Sequence, residues 1–229
     1  TSVFFLFYLS NIFFFFKYEL NKFNYKNNFF YFRLFFVLSF FLIVPETVAY
    51  TFAVYSKGGG NFDLSATEFE NTGQVTVDAS VVFDVSTITN NGTVLIGESL
   101  SLNGLGMTNA GDVMIYGDSN ITANSVVNSG DWVLAGDAAF NVSDMTNVNL
   151  IQAGGDVEVS GNSFDNTGWL YADDVAINSV ELSVAGAMVA ESDVMIDVVN
   201  GVTLNGTIVA GNQLALNAQS DVSNEGVFM

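Results

Sequence analysis

Apolar and polar residues alternate at short range through most of this chain. Segments such as "VTV" (75–77), "LSL" (100–102) and "VEV" (157–159) place an apolar residue at every second position. A period of two is typical of strands with one buried face. Gly, Asn, Asp and Ser stand between these segments and favour turns. Because no helical period holds over eleven residues, the pattern predicts short strands joined by tight turns.

The predicted strands recur with a period of nineteen residues. Asn occurs in register at six positions: 71, 90, 109, 128, 147 and 166. Gly follows two residues later in every unit except one, where Asn149 replaces it. An apolar residue follows four residues after each Asn: Val75, Val94, Val113, Trp132, Ile151 and Leu170. The register is expected to continue through residues 185 and 204 and to reach Asn224 after a one-residue slip.

A nineteen-residue unit of short strands cannot close a core by itself, so neighbouring units must stack. The expected fold is all-β, a right-handed parallel β-helix of about eight coils over residues 69–229. Asn residues one strand spacing apart are expected to hydrogen-bond amide to amide along the axis. The Gly column is expected to mark a left-handed φ, which Asn149 would tolerate better than other residues.

The repeat also resembles a known family. "NTGQVTVDAS", "NNGTVLIGESLSL" and "NAGDVMIYGD" are similar to the haemagglutinin repeats of filamentous-haemagglutinin-type exoproteins, which are bacterial surface adhesins exported by two-partner secretion. The resemblance implies a β-helical stalk of a secreted or surface-displayed adhesin-type structural protein, here a fragment. Its partners would be a receptor or glycan on a host or neighbouring cell and an outer-membrane secretion transporter. No Asn-Pro-Asn-Leu-type motif of the family's secretion domain is present.

The first 68 residues differ from the repeat. Residues 27–49 have the layout of a signal peptide, with a basic start, an uncharged run over 34–44 and the small residues "TVA" before a cleavage site after Ala49. A membrane anchor that crosses Arg33 is the alternative. Residues 1–26 are Phe-rich, and they are interpreted either as a fragment edge or over-extended reading frame, or as part of a two-pass membrane hairpin. Residues 50–68 are expected to cap the repeat.

Charge is distributed as unevenly as hydrophobicity. All five basic residues lie at or before Lys57, and the chain has no His or Cys, whereas the 24 acidic residues continue to the end. Nucleic acid and anionic membrane surfaces are therefore not expected as partners. The alternative function is a carbohydrate-active β-helix enzyme fragment without its catalytic coil. A third hypothesis is a membrane-anchored solenoid with no adhesive role. We assign no catalytic, cofactor-binding or metal-binding residue.

Two sets of residues remain candidates for binding. Asp118, Asp137, Asp156 and Asp174 recur at one turn, where they are interpreted as turn-forming acids, with Ca²⁺ bridging as the alternative. "KGGGNFD" (57–63) resembles half of one Gly-rich calcium repeat. Trp132 falls in the inward column and is expected in the core. Trp169 lies one residue out of phase, which leaves a surface position and a contact with ligand open for it.

Overall fold

The alternating segments form strands that pair in parallel with strands one coil away. The computed structural model describes residues 54–56 and 61–229, which contain strands and no helix. The Phe-rich and signal-like segments lie outside the described residues, as does most of the "KGGGNFD" stretch.

Two sheets run along the solenoid. Sheet A consists of β1 (Val54–Ser56), β3 (Gln74–Val77), β5 (Thr93–Ile96), β8 (Asp112–Ile115), β10 (Asp131–Leu134), β12 (Leu150–Ala153), β14 (Trp169–Ala172), β16 (Ala187–Ala190), β19 (Thr207–Ala210) and β22 (Val227–Phe228). Sheet B consists of β2 (Phe62–Asn71), β4 (Val81–Asn90), β6 (Leu100–Asn103), β7 (Gly106–Asn109), β9 (Ser119–Asn128), β11 (Ala138–Asn147), β13 (Val157–Asn166), β15 (Val175–Val184), β17 (Asp193–Val198), β18 (Val202–Leu204), β20 (Gln213–Ala218) and β21 (Val222–Asn224).

Neighbouring strands satisfy one another's backbone groups at about 4.8 Å spacing, so the described chain is a parallel β-solenoid. It makes about 9 turns of about 19 residues from residue 62 to residue 228, which confirms the predicted all-β fold. Strand β2 pairs with β4 from Phe62 onward. Part of the range expected as a cap, residues 50–68, therefore contributes strands to the sheets.

The ten-residue strands of sheet B bend in the middle, which gives each coil three faces. In β11, Val142 and Met145 are buried, while Ser143 and Asp144 between them both face outward. The pairing of β11 with β9 skips Ser143 at this point, and its pairing with β13 skips Val142 and Ser143. This break in the period of two marks the corner between the two halves of the strand.

The six register Asn residues form a continuous ladder inside the turn that leads from sheet B to sheet A. We call Asn71, Asn90, Asn109, Asn128, Asn147 and Asn166 the Asn ladder, and all are buried. The Nδ2 of each of the first five donates to Oδ1 of the next Asn along the chain, at 2.7 to 2.9 Å. Each also donates to a backbone carbonyl of the next coil, as Asn109 does to Asp131 at 3.2 Å. The predicted amide-to-amide bonding is confirmed.

The Gly column has a different cause from the one predicted. None of its described glycines from Gly92 onward has φ in the left-handed region, so that expectation is wrong. A Cβ at Gly111 would instead lie 2.8 Å from the nitrogen of Gly92 and overlap its carbonyl oxygen. Glycine is favoured at this position because consecutive turns stack backbone on backbone, and Asn149 is the one member of the column that carries a side chain. Left-handed φ therefore does not explain the column that contains Asn149, whose carboxamide donates to Asp131 Oδ1 at 2.8 Å.

The register shifts by one residue after the Asn ladder ends. Val184, not residue 185, pairs with Asn166, because the turn between β14 and β15 has one residue fewer than the turn between β12 and β13. Met188 consequently points into the core and pairs with Leu170, whereas Val189 faces outward. The following coil has 20 residues, and Leu204 then occupies the position of Asn.

The core contains the inward residues of all three faces, and Trp132 is its largest member. Trp132 is fully buried, as predicted, and its ring meets Phe140 edge to face at 5.4 Å between centroids. Small residues, Ser119 and Ala138, occupy one inward column of sheet B at this level. Trp132 Nε1 and Ser119 Oγ find no hydrogen-bond partner among the described residues. Packing therefore holds the indole without a hydrogen bond.

Candidate functional site

One turn of the solenoid carries a column of acids. We call Asp118, Asp137, Asp156, Asp174 and Asp193 the Asp column. Each of the first four carboxylates accepts a hydrogen bond from the backbone N–H of the next member, at 2.8 to 3.2 Å, and Asp193 accepts one from Gln213 N–H at 3.0 Å. The side chains therefore satisfy turn N–H groups that the sheets leave unpaired, which supports the interpretation of these residues as turn-forming acids.

Stacking of these carboxylates has an electrostatic cost. The pKa of Asp156 is raised above its ordinary value, chiefly by partial desolvation and then by the negative charges of Asp174, Asp137 and Asp173. The hydrogen bond from Asp174 N–H opposes that shift. Within the described residues no group of three or more acidic side chains is placed to hold a metal ion. The Ca²⁺ alternative thus gains no support from the geometry.

The bend of sheet B carries an open polar groove of about 570 Å³. Its walls include Ser65, Thr67, Asp84, Asn103 and the exposed Leu105. Hydroxyl, amide and carboxylate groups stand one coil apart along it, because these side chains occupy equivalent positions in successive coils. The groove can offer hydrogen bonds, but its lining includes no aromatic ring.

The outer face of sheet A is different, because apolar side chains dominate one of its columns. Register pairing aligns these outward residues from coil to coil: Leu95, Met114, Val133, Gln152, Tyr171, Val189 and Val209. None of them is charged. The corresponding column on sheet B is entirely polar: Asp84, Asn103, Thr122, Asn141, Ser160, Asn178, Asp197 and Asn217. Sheet A therefore presents the less polar of these two outer surfaces.

Aromatic and polar groups meet on this face at β12 and β14. We call Leu150, Gln152, Trp169, Tyr171 and Glu191 the aromatic patch. Trp169 is 61% exposed, and it pairs with Leu150 as Tyr171 pairs with Gln152. The two rings lie two residues apart on one strand, so they share a face at a spacing of about 7 Å.

Hydrogen bonding fixes one of the two rings. Tyr171 Oη donates to Glu191 Oε1 at 2.6 Å. This bond, followed by partial desolvation and the charge of Glu191, raises the pKa of Tyr171 above its ordinary value. The carboxamide of Gln152 is exposed and makes no hydrogen bond with other described residues. The patch thus combines the phenol ring of Tyr171, held by its hydrogen bond, with the exposed indole of Trp169 and the carboxamide of Gln152. That carboxamide is free to donate and to accept hydrogen bonds.

Sequence reasoning found one member of the patch and missed the others. The surface position left open for Trp169 is confirmed by its exposure, whereas its contact with a ligand stays a prediction. Tyr171 and Gln152 could have been found from the two outward positions of each sheet A strand, which the period of two defines. Glu191 lies in a turn of the next coil, and only the folded register brings it to Tyr171.

No family model, no curated protein and no solved structure matches this chain. The stacked parallel coils and their repeating Asn, Gly and Asp columns define the class, which is a parallel β-helix repeat protein. Within the part of the chain that the structure describes, no helix is long and apolar enough to cross a membrane.

Proposed function

We propose that this chain is an adhesin-type structural protein, secreted or displayed at a cell surface. Its solenoid would serve as the stalk of a filamentous-haemagglutinin-like exoprotein. The observation that carries the proposal is the aromatic patch, in which the exposed indole of Trp169 lies beside the half-buried Leu150 and Tyr171 on a scaffold of stacked coils. Exposed apolar surface of this kind marks interaction sites on soluble proteins.

The scaffold is suited to display a surface because it is held from within. The Asn ladder links successive coils through buried side-chain hydrogen bonds, for example 2.7 Å between Asn90 and Asn109. A buried amide left unpaired costs about 1 to 3 kcal/mol. A coil that slid relative to its neighbour would break its ladder bond and incur this cost, so the ladder fixes the register of successive coils. A fixed coil register holds Trp169 and Tyr171 in a constant arrangement on the surface.

Charge restricts the partners of such a surface. Of the 24 acidic residues only Glu19 and Glu46 precede the described solenoid, and no basic residue follows Lys57. Phosphate and sulfate groups would be repelled at contact, although salt screens charges beyond about 8 Å. The partners that fit are uncharged or cationic surfaces, and nucleic acid and anionic lipid do not fit.

Export can be tested directly. If residues 27–49 act as a signal peptide, amino-terminal sequencing of secreted material should begin near Tyr50. Mature protein that retains residues 35–41 would overturn the cleavage site and favour the membrane-anchored alternative.

Attachment is the decisive experiment for the function. Beads coated with the full chain should adhere to cells of a panel of epithelial and bacterial lines, and soluble heparin should not compete. Absence of attachment to every line, or attachment that heparin abolishes, would contradict the proposal. Incubation with plant and bacterial polysaccharides separates the enzyme alternative, because release of reducing or unsaturated ends would favour it.

A further inference from the structure

The outward apolar column of sheet A, most of whose side chains are half-buried, is too small to serve as a dimer interface. Its outward column from Leu95 to Val209 covers six coil steps, about 29 Å at the strand spacing. With a width of about 10 Å for one column and its neighbour, the face measures about 300 Å². A stable protein dimer buries about 800 Å² on each partner. A second copy of the chain is therefore a poor occupant, and a narrow ligand fits better.

The distribution of charge further limits the class of ligand that can bind. Glu191 belongs to the patch, Asp131 flanks it, and no cation is present in residues 61–229. An anionic ligand would meet unpaired carboxylates, and a purely apolar one would leave Gln152 and Glu191 without a role. A ligand with many neutral hydroxyl groups avoids both costs.

The side chains at the patch match the two kinds of surface that a sugar ring presents. One face of a pyranose consists of C–H groups, which pack against an aromatic ring such as the exposed indole of Trp169. Its rim consists of hydroxyl groups, which can pair with the free carboxamide of Gln152 and the remaining acceptor sites of Glu191. Tyr171 extends the apolar floor, and its hydrogen bond to Glu191 holds both groups in place before binding.

We propose that the aromatic patch is a binding site for neutral saccharides, with Trp169 as the stacking platform and Gln152 and Glu191 as hydroxyl contacts. This site rests on the proposed adhesive function, for which it supplies the class of ligand. It would accept neutral hexose or N-acetylhexosamine units and exclude sulfated or uronic acid chains.

Calorimetric titration of the full chain tests the proposal with a fixed set of probes: chitotetraose, mannotetraose, cellotetraose and a heparin-derived tetrasaccharide. At least one neutral probe should bind, and the heparin probe should not. Trp132 is fully buried, so a change in tryptophan fluorescence on binding should come from Trp169. Failure of all three neutral probes to bind at millimolar concentration would overturn the site.

Matched variants locate the site on the surface. W169A should weaken binding about tenfold, as expected when a central aromatic contact is truncated, and Trp169→Phe should retain part of the affinity. Tyr116→Ala is the control, because Tyr116 is 68% exposed at another turn and its loss should leave binding unchanged. Circular dichroism should show both alanine variants folded. Equal affinity of W169A and the wild-type chain would refute the site.

The two proposals can fail separately. Cell attachment without binding of any neutral probe would leave the adhesive function standing and remove the saccharide site. Saccharide binding that W169A weakens, without attachment to any cell line, would remove the adhesive function and keep the site.

Discussion

Replacing Gly111 by Ala tests why the turns contain a column of glycines. An added Cβ would lie 2.8 Å from Gly92 N and 2.9 Å from the carbonyl carbon of Asn91, and it would overlap the carbonyl oxygen of Gly92. Real Cβ atoms do not approach backbone so closely, so the two coils must separate locally. Because the obstacle is backbone, a change of rotamer cannot relieve it.

The cost follows from the bonds that join these coils. Gly111 N–H donates to Asn90 O at 3.0 Å, and Asp112 N–H donates to Gly92 O at 2.9 Å. Loss of both bonds costs about 1 kcal/mol each, and the forced displacement of packed backbone adds about 1 to 3 kcal/mol. We therefore expect Gly111→Ala to lower the free energy of unfolding by about 3 to 5 kcal/mol.

Gly106 provides the matched control in the preceding coil. A Cβ there would meet only Ser125 O, at 3.8 Å, and the residue paired with Gly106 is the β-branched Thr87. Gly106→Ala should raise stability by about 0.4 to 1 kcal/mol, because alanine restricts the unfolded chain. Urea denaturation followed by circular dichroism measures both. Similar effects of the two variants, or a neutral Gly111→Ala, would refute the stacking argument.

Three further outcomes are expected. Asn128→Ala should lower the free energy of unfolding by about 2 to 4 kcal/mol, because it leaves buried amide and carbonyl groups unpaired in two coils. Asn120 is exposed on the same strand, so Asn120→Ala should change stability little in the same denaturation assay. Asp156→Asn should raise the melting temperature at neutral pH, because the amide oxygen still accepts the bond from Asp174 N–H while the repulsion between neighbouring carboxylates is removed. Asp84→Asn is the control and should not raise it, because Asp84 lies between the uncharged Ser65 and Asn103. The raised pKa of Asp156 means that the folded state binds this proton more tightly than the unfolded state, so wild-type stability from this group should increase as pH falls through that pKa. A pH series of melts that shows the same slope for wild type and Asp156→Asn would contradict this assignment.

The sequence predicted the parts of the fold that depend on identical residues in register. Alternation gave the strands, and recurrence of Asn gave the coil length as far as Asn166. The shortened turn before β15 has one sign in the sequence, the 18-residue step from Asp156 to Asp174, whereas the Asn register alone continues unchanged to residue 185. The structure adopts the shorter coil, in which Met188 rather than Val189 packs in the core.

The explanation of the glycines failed for a different physical reason. Both left-handed φ and close stacking of backbone on backbone select glycine. The sequence shows only that glycine recurs, so it cannot separate the two causes. The aromatic patch was only partly predictable, because one of its contacts depends on which residues of neighbouring coils are paired. Trp169 and Tyr171 face outward by periodicity, but the contact of Tyr171 with Glu191 requires coils of known register.

The Asn ladder also constrains how this chain can change length. Five consecutive ladder bonds join residues that are all 19 apart, whereas the 18-residue coil from Asn166 to Val184 and the 20-residue coil from Val184 to Leu204 follow the end of the ladder at Asn166. A single inserted or deleted residue between Asn71 and Asn166 would move one carboxamide out of reach of the next. Natural variants should therefore gain or lose whole coils in that region, and single-residue insertions and deletions should accumulate beyond Asn166.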